Sequence, residues 1–418
     1  MNDGGEVEGW ARGWQFIATL FRAKPESAMQ HADVLIVGGG PAGAACATKL
    51  HAGGLDVLIL EKAAFPRDKL CAGWITPQVL ETARIDPADY AQGRVLQPFT
   101  GFRTGRLSEP SLETTYPKPV SYGIRRREFD AYLLERSGAR VEHETAVRQF
   151  ERSATGWTVD GLFHAPMLIG AGGHFCPVGR HLNPGGDGRY PMVAAQEVEV
   201  VLTEQQQDVC PIEPRMPEIF FSEDLLGYGW CVRKGPVLNV GLGREDRRRL
   251  PAHVADFLDY LRREGKLPAD FPERLPGHAY LLYGRRRRRW VDDGVLLIGD
   301  AAGLAYPHSG EGILPALESG LLAAETILDA AGDFRQQWLR AYEQRLLARL
   351  GNPPPGTTSS QGAGIGLRRW LGNRLLRNRG FTRHVLLNRW FLHTAQASLP
   401  FWPRMVAISE SDESPLGR

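Results

Sequence analysis

An α/β fold, with a three-layer core interrupted by an antiparallel β-sheet and closed by C-terminal helices, is predicted by three stretches of this 418-residue chain. Asp33–Leu50, DVLIVGGGPAGAACATKL, is an apolar strand that runs through glycines into a helix. Val295–Gly320, VLLIGDAAGLAYPHSGEGILPALESG, repeats the plan far downstream, with a strand ending in Gly-Asp and a Gly/Pro-rich turn before the helix. Both describe a strand meeting a helix N-terminus, where free backbone N–H groups and the helix dipole attract anions. Between them, residues 185–280 change texture to short β-like runs divided by Gly, Pro and charged turns.

Residues 1–30 read as an appendage in which Trp10, Trp14, Ile17 and Phe21 fall at helical spacing. Asp33–Glu61 alternates strand, helix and strand, a βαβ unit. Phe65–Thr76 (FPRDKLCAGWIT) is a loop by composition, and Arg125–Ala139 is a helix with Phe129, Tyr132, Leu133 and Leu134 on its apolar side. Ala165–Gly173 is a buried strand ending in glycines. Val193–Leu202, Glu218–Ser222, Gly229–Arg233 and Val237–Gly241 supply a mostly antiparallel sheet. The run Arg285–Arg289, placed in a strand, alternates faces and reads as a solvated edge. Asn352–Gly366 is a linker by composition. The expected division is an appendage (1–30), a discontinuous nucleotide-binding domain (31–184 and 281–350), a β-sheet substrate domain (185–280), and a linker with a basic helical region (351–418).

Hydrophobic content of 43% and charged content of 23% are ordinary for a globular enzyme of about two domains. No stretch approaches the roughly 18 apolar residues that span a bilayer. The start is acidic (Asp3, Glu6, Glu8), unlike a secretory signal, and the five cysteines form no CxxC pair. A reducing, cytoplasmic setting and no metal site are therefore expected. The net charge of +2 hides a polarised chain, because no acidic residue lies between Glu343 and Glu410 while arginines recur there among Trp370, Phe381, Trp390, Phe391, Phe401 and Trp402. Such a tail suits an anionic membrane surface or an acidic protein, or else is a closing helical layer with an arginine-covered outer face. Nucleic acid is not an expected partner, since no recognition motif accompanies the charge.

Gly38, Gly40 and Gly43 form GxGxxG between a strand and a helix. The first permits the tight turn, the second close approach to a pyrophosphate, and the third close helix–strand packing. Glu61, at the end of the next strand, is placed to accept two ribose hydroxyls. The second glycine-rich strand end, Gly299-Asp300, decides between dinucleotides. An enzyme using NAD alone has no need of it, whereas the ribityl hydroxyls and second phosphate of FAD reach further across the fold. Pro307–Gly312 (PHSGEG) then opens a helix whose dipole can stabilise negative charge at the flavin N1–C2 carbonyl. The fold class sharpens to a Rossmann-type FAD-binding domain with an inserted antiparallel β-sheet substrate domain and a helical C-terminal cap.

The segments VGGGPAG (Val37–Gly43), RDKLCAG (Arg67–Gly73), RRREFDAYLL (Arg125–Leu134), IGAGG (Ile169–Gly173), GYGW…NVGLG (Gly227–Gly243) and GDAAG…PHSGEG (Gly299–Gly312) resemble, in order, the geranylgeranyl reductase family within the larger group of flavin monooxygenases, halogenases and related FAD enzymes. The resemblance implies Glu61 on the adenosine ribose, Arg126 near the FAD phosphate or ribose, and Asp300 on the pyrophosphate–ribityl region. It sets Pro307, Gly310, Gly312 and Ile313 beside the isoalloxazine, and Lys69 and Cys71 in a loop near the flavin. Cys71 is accordingly a candidate catalytic residue, although a small buried thiol filling space gives the same sequence. His308, in the flavin-facing turn, is a candidate proton donor. Tyr228 and Trp230 are candidates for the substrate cavity.

Four departures from the family pattern bear on chemistry. Gly172 stands where an Asp is usual in hydroxylases, which puts direct NADPH use in question. Gly303 replaces the His of aromatic hydroxylases, as in the reductases. Tyr228-Gly-Trp230 continues into Cys-Val-Arg233 rather than Phe-Pro, and an arginine there argues against an isoprenoid tail at that place. The halogenase signature Trp-x-Trp-x-Ile-Pro has no match. The expectation is an FAD-dependent oxidoreductase fed by NAD(P)H or a separate reductase. Its preferred activity is monooxygenation of a bulky aromatic or apolar substrate, free or presented on a peptide or carrier. Reduction of isoprenoid carbon–carbon double bonds is the alternative, and a flavoprotein acting mainly through membrane or partner binding by its basic tail is the third reading.

Overall fold

The apolar strand runs assemble into one six-stranded sheet, ordered Val291–Asp292, Val295–Leu297, Met167–Gly170, Val34–Val37, Val57–Leu60 and Arg140–Glu142 in the computed structural model, which describes residues 29–107, 109–185, 192–285, 288–353 and 365–401. Pairing is parallel throughout except between the first two strands. The four central strands are wholly buried, as expected when both faces of a parallel sheet are covered and every side chain is apolar. The helices Pro41–Ala52 and Ile313–Asp329, both entered from glycine turns, lie against each other so closely that a Cβ on Gly320 would stand 2.4 Å from the Ala42 carbonyl oxygen. Helix Gln336–Leu350 closes the layer, its Tyr342 hydroxyl donating to the Leu297 carbonyl at 2.9 Å. Within the chain, the βαβ unit and the strand before Gly172 lie where the sequence places them.

A second, seven-stranded sheet is ordered Gly277–Tyr280, Val193–Val201, Val237–Arg244, Gly227–Lys234, Glu218–Phe221, Gly101–Arg106 and Leu112–Thr115. It is antiparallel apart from the Glu218–Phe221/Gly101–Arg106 pair. The sheet is therefore not confined to residues 185–280: two of its strands come from before Gly123, out of a segment expected to belong to the nucleotide-binding part. Helix Leu250–Arg263 covers one face with Phe257, Leu258 and Leu261. Because side chains alternate along a strand, Cys231 of Gly227–Lys234 joins that packing while Trp230 and Val232 point to the opposite face.

Two expectations change in the structure. In the run Arg285–Arg289 the described Arg285, Arg288 and Arg289 belong to no strand, with Arg285 paired to Glu245 at 2.6 Å and Arg289 to Asp292 at 2.7 Å; Arg286 and Arg287 lie outside the described residues. The loop Phe65–Thr76 ends in a two-residue strand, Trp74–Ile75, paired with Tyr122–Gly123. The basic tail, in contrast, is the closing helical layer expected as the C-terminal cap. Its helices Ile365–Leu376, Arg379–Phe381 and Thr382–Phe391 bring Leu386, Leu387, Phe391 and Leu392 into buried contact with Phe102, Ile219 and Trp74. Trp370 and Leu371 stay exposed. The amphipathic stretch Trp10–Phe21, most of the linker, and Trp402 onward lie outside the described residues. Among the described residues no helix is long and apolar enough to cross a membrane.

Candidate active site

The glycine turn after Val34–Val37 is shaped by two positions that exclude a side chain. Gly38 holds φ +112° with its Cα facing the Ala171 carbonyl, and a Cβ on Gly43 would stand 2.0 Å from the Gly38 carbonyl oxygen. The helix can therefore start hard against the strand, with Gly40 as its N-cap. Glu61, buried at the end of the next strand, accepts from the Gly39 N–H at 2.8 Å and the Ala63 N–H at 3.1 Å. Beside it Arg67 lies 3.8 Å from Glu61 and 3.3 Å from Asp130. Asp130, with no exposed surface, receives two further hydrogen bonds from Arg126 at 2.7 and 2.8 Å. Burial works against the Arg126 charge, but the Asp130 carboxylate outweighs it and holds the guanidinium firmly protonated.

Lys69 lies within electrostatic reach of this group, and its pKa is pushed below the usual lysine range by burial first and by Arg126 next, with Asp300 opposing. An anion beside Lys69 would favour its charge against burial and Arg126. Asp300 sits at the mouth of the second helix, its Oδ1 only 3.2 Å from where a Cβ on Gly312 would be. Two helix N-termini, a buried acceptor at Glu61 and a lysine whose charge is disfavoured by burial and by Arg126 fit a dinucleotide carrying a pyrophosphate. Gly38, Gly40, Gly43, Glu61, Lys69, Arg126, Gly299 and Asp300 thus fall in one continuous cradle.

Next to the cradle, between the turn Ser309–Ile313 and the second sheet, is a cavity of about 110 Å³. Tyr228, Trp230 and Val232 form one wall, Cys71 and Trp74 another, and Phe391 of the tail a third. Gly310, Gly312 and Ile313 form its floor. The wall is fastened by hydrogen bonds: the Tyr228 hydroxyl donates to the Ser309 carbonyl, Trp230 Nε1 to Asn239 Oδ1 at 2.7 Å, and Asn239 Nδ2 to the Cys71 carbonyl at 3.2 Å. The Gly73 N–H donates to Cys71 Sγ at 3.4 Å, which fixes the thiol direction.

Pro307 and His308 lie elsewhere. They line a separate cavity with Tyr306, Val385, Arg389, Trp390 and His393, and the His308 ring stacks on Trp390 at 4.8 Å and 12°. Burial, then Arg389 and Arg285, push the His308 pKa below its ordinary value. This corrects the expectation that His308 faces the reacting centre: it pins the tail against the back of the turn. Arg233 is a second correction. It shares the Cys231 face of its strand, its Nε donating to the Gly235 carbonyl at 3.3 Å, and takes no part in the cavity wall.

Several lining residues escaped sequence reasoning. Phe391 was masked by the basic composition around it. Glu197 sits on a strand read only as scaffold, and His278 and Tyr280 on Gly277–Tyr280, which was not read as a strand, although two Glu side chains on one face of Val193–Val201 were a readable signal. Glu311 lay inside a quoted motif. Neither of its carboxylate oxygens has a hydrogen-bond partner; His393 Nε2 approaches at 3.5 Å. Burial, with Glu318 adding, pushes Glu311 up to about 8, and burial pushes His393 down to about 4, so both are neutral near pH 7.

A raised carboxyl pKa favours folding fully below the ordinary value of 4.5 and progressively less as pH climbs through about 8. The depressed histidine acts oppositely, its contribution falling as pH drops from 6.5 towards 4. Between pH 6.5 and 8.5 the melting temperature of the wild type should therefore fall, and Glu311→Gln should flatten that fall by ~2 °C or more. Equally steep thermal melts for the two proteins would exclude Glu311 as the cause.

Comparison with known proteins agrees with this geometry. Residues 31–349 match the model of the FAD binding domain family. A menaquinone reductase of Mycobacterium tuberculosis is 32% identical over 338 residues, covering 73% of this chain and 78% of that protein. A digeranylgeranylglycerophospholipid reductase of Methanocaldococcus jannaschii is 25% identical over 331 residues, covering 75% and 81%. The solved structure of a geranylgeranyl bacteriochlorophyll reductase-like protein from Thermoplasma acidophilum shares the fold, with a TM-score of 0.66 at 23% identity over 84% of this chain and 88% of that one.

Proposed function

Because this chain belongs to the FAD binding domain family and is an FAD-dependent oxidoreductase, we propose that it reduces carbon–carbon double bonds in the isoprenoid part of a lipid or quinone. The observation that carries this reading is the strand parity at Tyr228–Arg233. The arginine that spoke against an isoprenoid tail faces away, and Trp230, Val232, Trp74 and Phe391 leave an apolar, largely aromatic wall against the flavin turn. Two relatives named as lipid and quinone reductases support the same choice over monooxygenation.

Bound FAD supplies the hydride for such a reduction. In the cradle Glu61 would hold its ribose, and Lys69 and Arg126 its phosphates. The aromatic wall excludes water and aligns the unsaturated chain against the turn. One carbon of the double bond gains the hydride and the other a proton, so the cavity has to present an acid. The Cys71 thiol, oriented by the Gly73 N–H, is the proton donor in this reading. Electrons reach the flavin from a reduced nicotinamide or a partner reductase.

Mass spectrometry of products from reduced holoenzyme mixed with menaquinone or a geranylgeranylated lipid tests the assignment. A gain of two hydrogens per reaction is the expected result. A gain of one oxygen, seen only in air, would replace reduction by the oxygenation that the same cavity could host. Phe391→Ala should raise KM about tenfold by removing a wall that contacts the substrate, with kcat changed less; an unchanged KM would place the substrate elsewhere.

A further inference from the structure

Most of the cavity wall is apolar, yet six polar side-chain atoms that have no hydrogen-bond partner belong to residues lining it: Glu197 Oε2, His278 Nδ1, Trp74 Nε1, Thr76 Oγ1 and the two carboxylate oxygens of Glu311. Buried polar groups are nearly always paired, so several without partners around one cavity mark a place where a ligand supplies them. Glu197 is the most telling, being 1% exposed in the middle of strand Val193–Val201. Space is made for it, since a Cβ on Gly241 of the next strand would stand 2.5 Å from the Glu197 Cβ and 2.4 Å from the Trp230 ring. Its neighbour on the same strand face, Glu199, is occupied by Lys234 at 2.6 Å and Arg125 at 2.8 Å, so the nearby cations are already engaged.

We propose that Glu197, with His278 and Trp74, forms a polar subsite that takes a neutral ring oxygen of the substrate, a carbonyl or hydroxyl, with the Glu197 carboxylic acid as hydrogen-bond donor. The proposal rests on the cavity being the substrate site, not on which reaction follows. The electrostatics agree. Burial pushes Glu197 up to about 8 against the pull of Lys234, Arg126 and Lys69, with Glu199 adding to the rise. Burial, then Lys69 and Arg126, push His278 down to about 4. Near pH 7 the Glu197 and His278 side chains are uncharged, so an anionic group hydrogen-bonded to them would gain no counter-charge from the subsite itself. A quinone or phenol oxygen is accepted, and a carboxylate is refused.

Equilibrium binding to the FAD-loaded protein tests this with menadione, a neutral tail-less naphthoquinone, against 1-hydroxy-2-naphthoate, a ring of similar size carrying a carboxylate. Menadione should bind at least about tenfold more tightly at pH 6.5, and should weaken as pH rises through about 8 when Glu197 ionises. Glu197→Gln keeps a donor and should bind menadione within about threefold of wild type with a smaller fall through pH 8, Glu311 alone still ionising there. Glu197→Leu, of similar size with no donor, should lose about tenfold at pH 6.5 and show the same smaller fall with pH. Menadione binding unchanged in Glu197→Leu, or equal binding of the carboxylate ring, overturns the proposal. So does loss of FAD from a folded Glu197→Leu, which would make the residue a cofactor contact. These outcomes stand whether or not double-bond reduction is found, so the two readings fail separately.

Discussion

Gly43→Val is expected to give a colourless protein, purified without FAD and destabilised by ~3 kcal/mol or more. The new Cβ would meet the Gly38 carbonyl oxygen at 2.0 Å and Ile36 Cγ2 at 3.3 Å. Neither can yield easily. Gly38 is held by its own N–H to the Leu60 carbonyl at 3.0 Å, and its Cα side is closed by Ala171; Ile36 is in the middle of the parallel sheet. The helix would have to lift from the sheet, but its other flank is in backbone-level contact with the helix that carries Gly320. Lifting it also withdraws the free N–H groups of the first helical turn from the pyrophosphate position. Flavin absorbance per mole of protein and a thermal melt measure both effects. Full FAD occupancy in this variant would mean that the close helix–strand approach is dispensable.

Asp130→Leu carries the next largest effect. Asp130 accepts two hydrogen bonds from Arg126 and faces Arg67 at 3.3 Å, all out of solvent's reach at the carboxylate. Removing it leaves a buried guanidinium without its counter-charge, a loss of about 3–5 kcal/mol. The companion substitution Arg126→Met in the same chain should restore much of the stability, because an apolar pair replaces an ion pair at modest expense. It should not restore FAD affinity, because the cation offered to the phosphate is gone. Denaturant unfolding and FAD titration on the two single variants and the double variant separate the effects. If the double variant regained FAD affinity along with stability, Arg126 would be a purely structural residue.

The legible part of the sequence was the part whose physics is local. A strand buried on both faces must be apolar throughout, and a strand–helix junction that meets a phosphate must be glycine-rich, so Val34–Gly43 and Val295–Gly312 announce themselves. Gly101–Arg106 did not, because GFRTGR has little β-signal of its own and is held by the distant Glu218–Phe221. Arg233 was misread because a motif was compared position by position without asking which way each side chain points; alternation along Gly227–Lys234 sends Trp230 and Val232 inward and Arg233 outward. His308 was misread for a related reason, since a turn has two sides and its neighbours in sequence, Ser309 and Gly310, take the inner one. Phe391 belongs to a stretch whose arginines dominate its average character, and averages hide a single ring that is 5% exposed.

That ring also sets an order of assembly. The cradle is complete within residues 31–349, whereas the third cavity wall arrives only with Thr382–Phe391. On a growing chain, synthesised from the N-terminus, the part that takes up FAD leaves the ribosome before the part that seals the substrate chamber. Flavin can thus be loaded through an open side that later closes, and a chain cut short after Leu350 would carry a coloured cofactor exposed to oxygen with no chamber to direct its electrons.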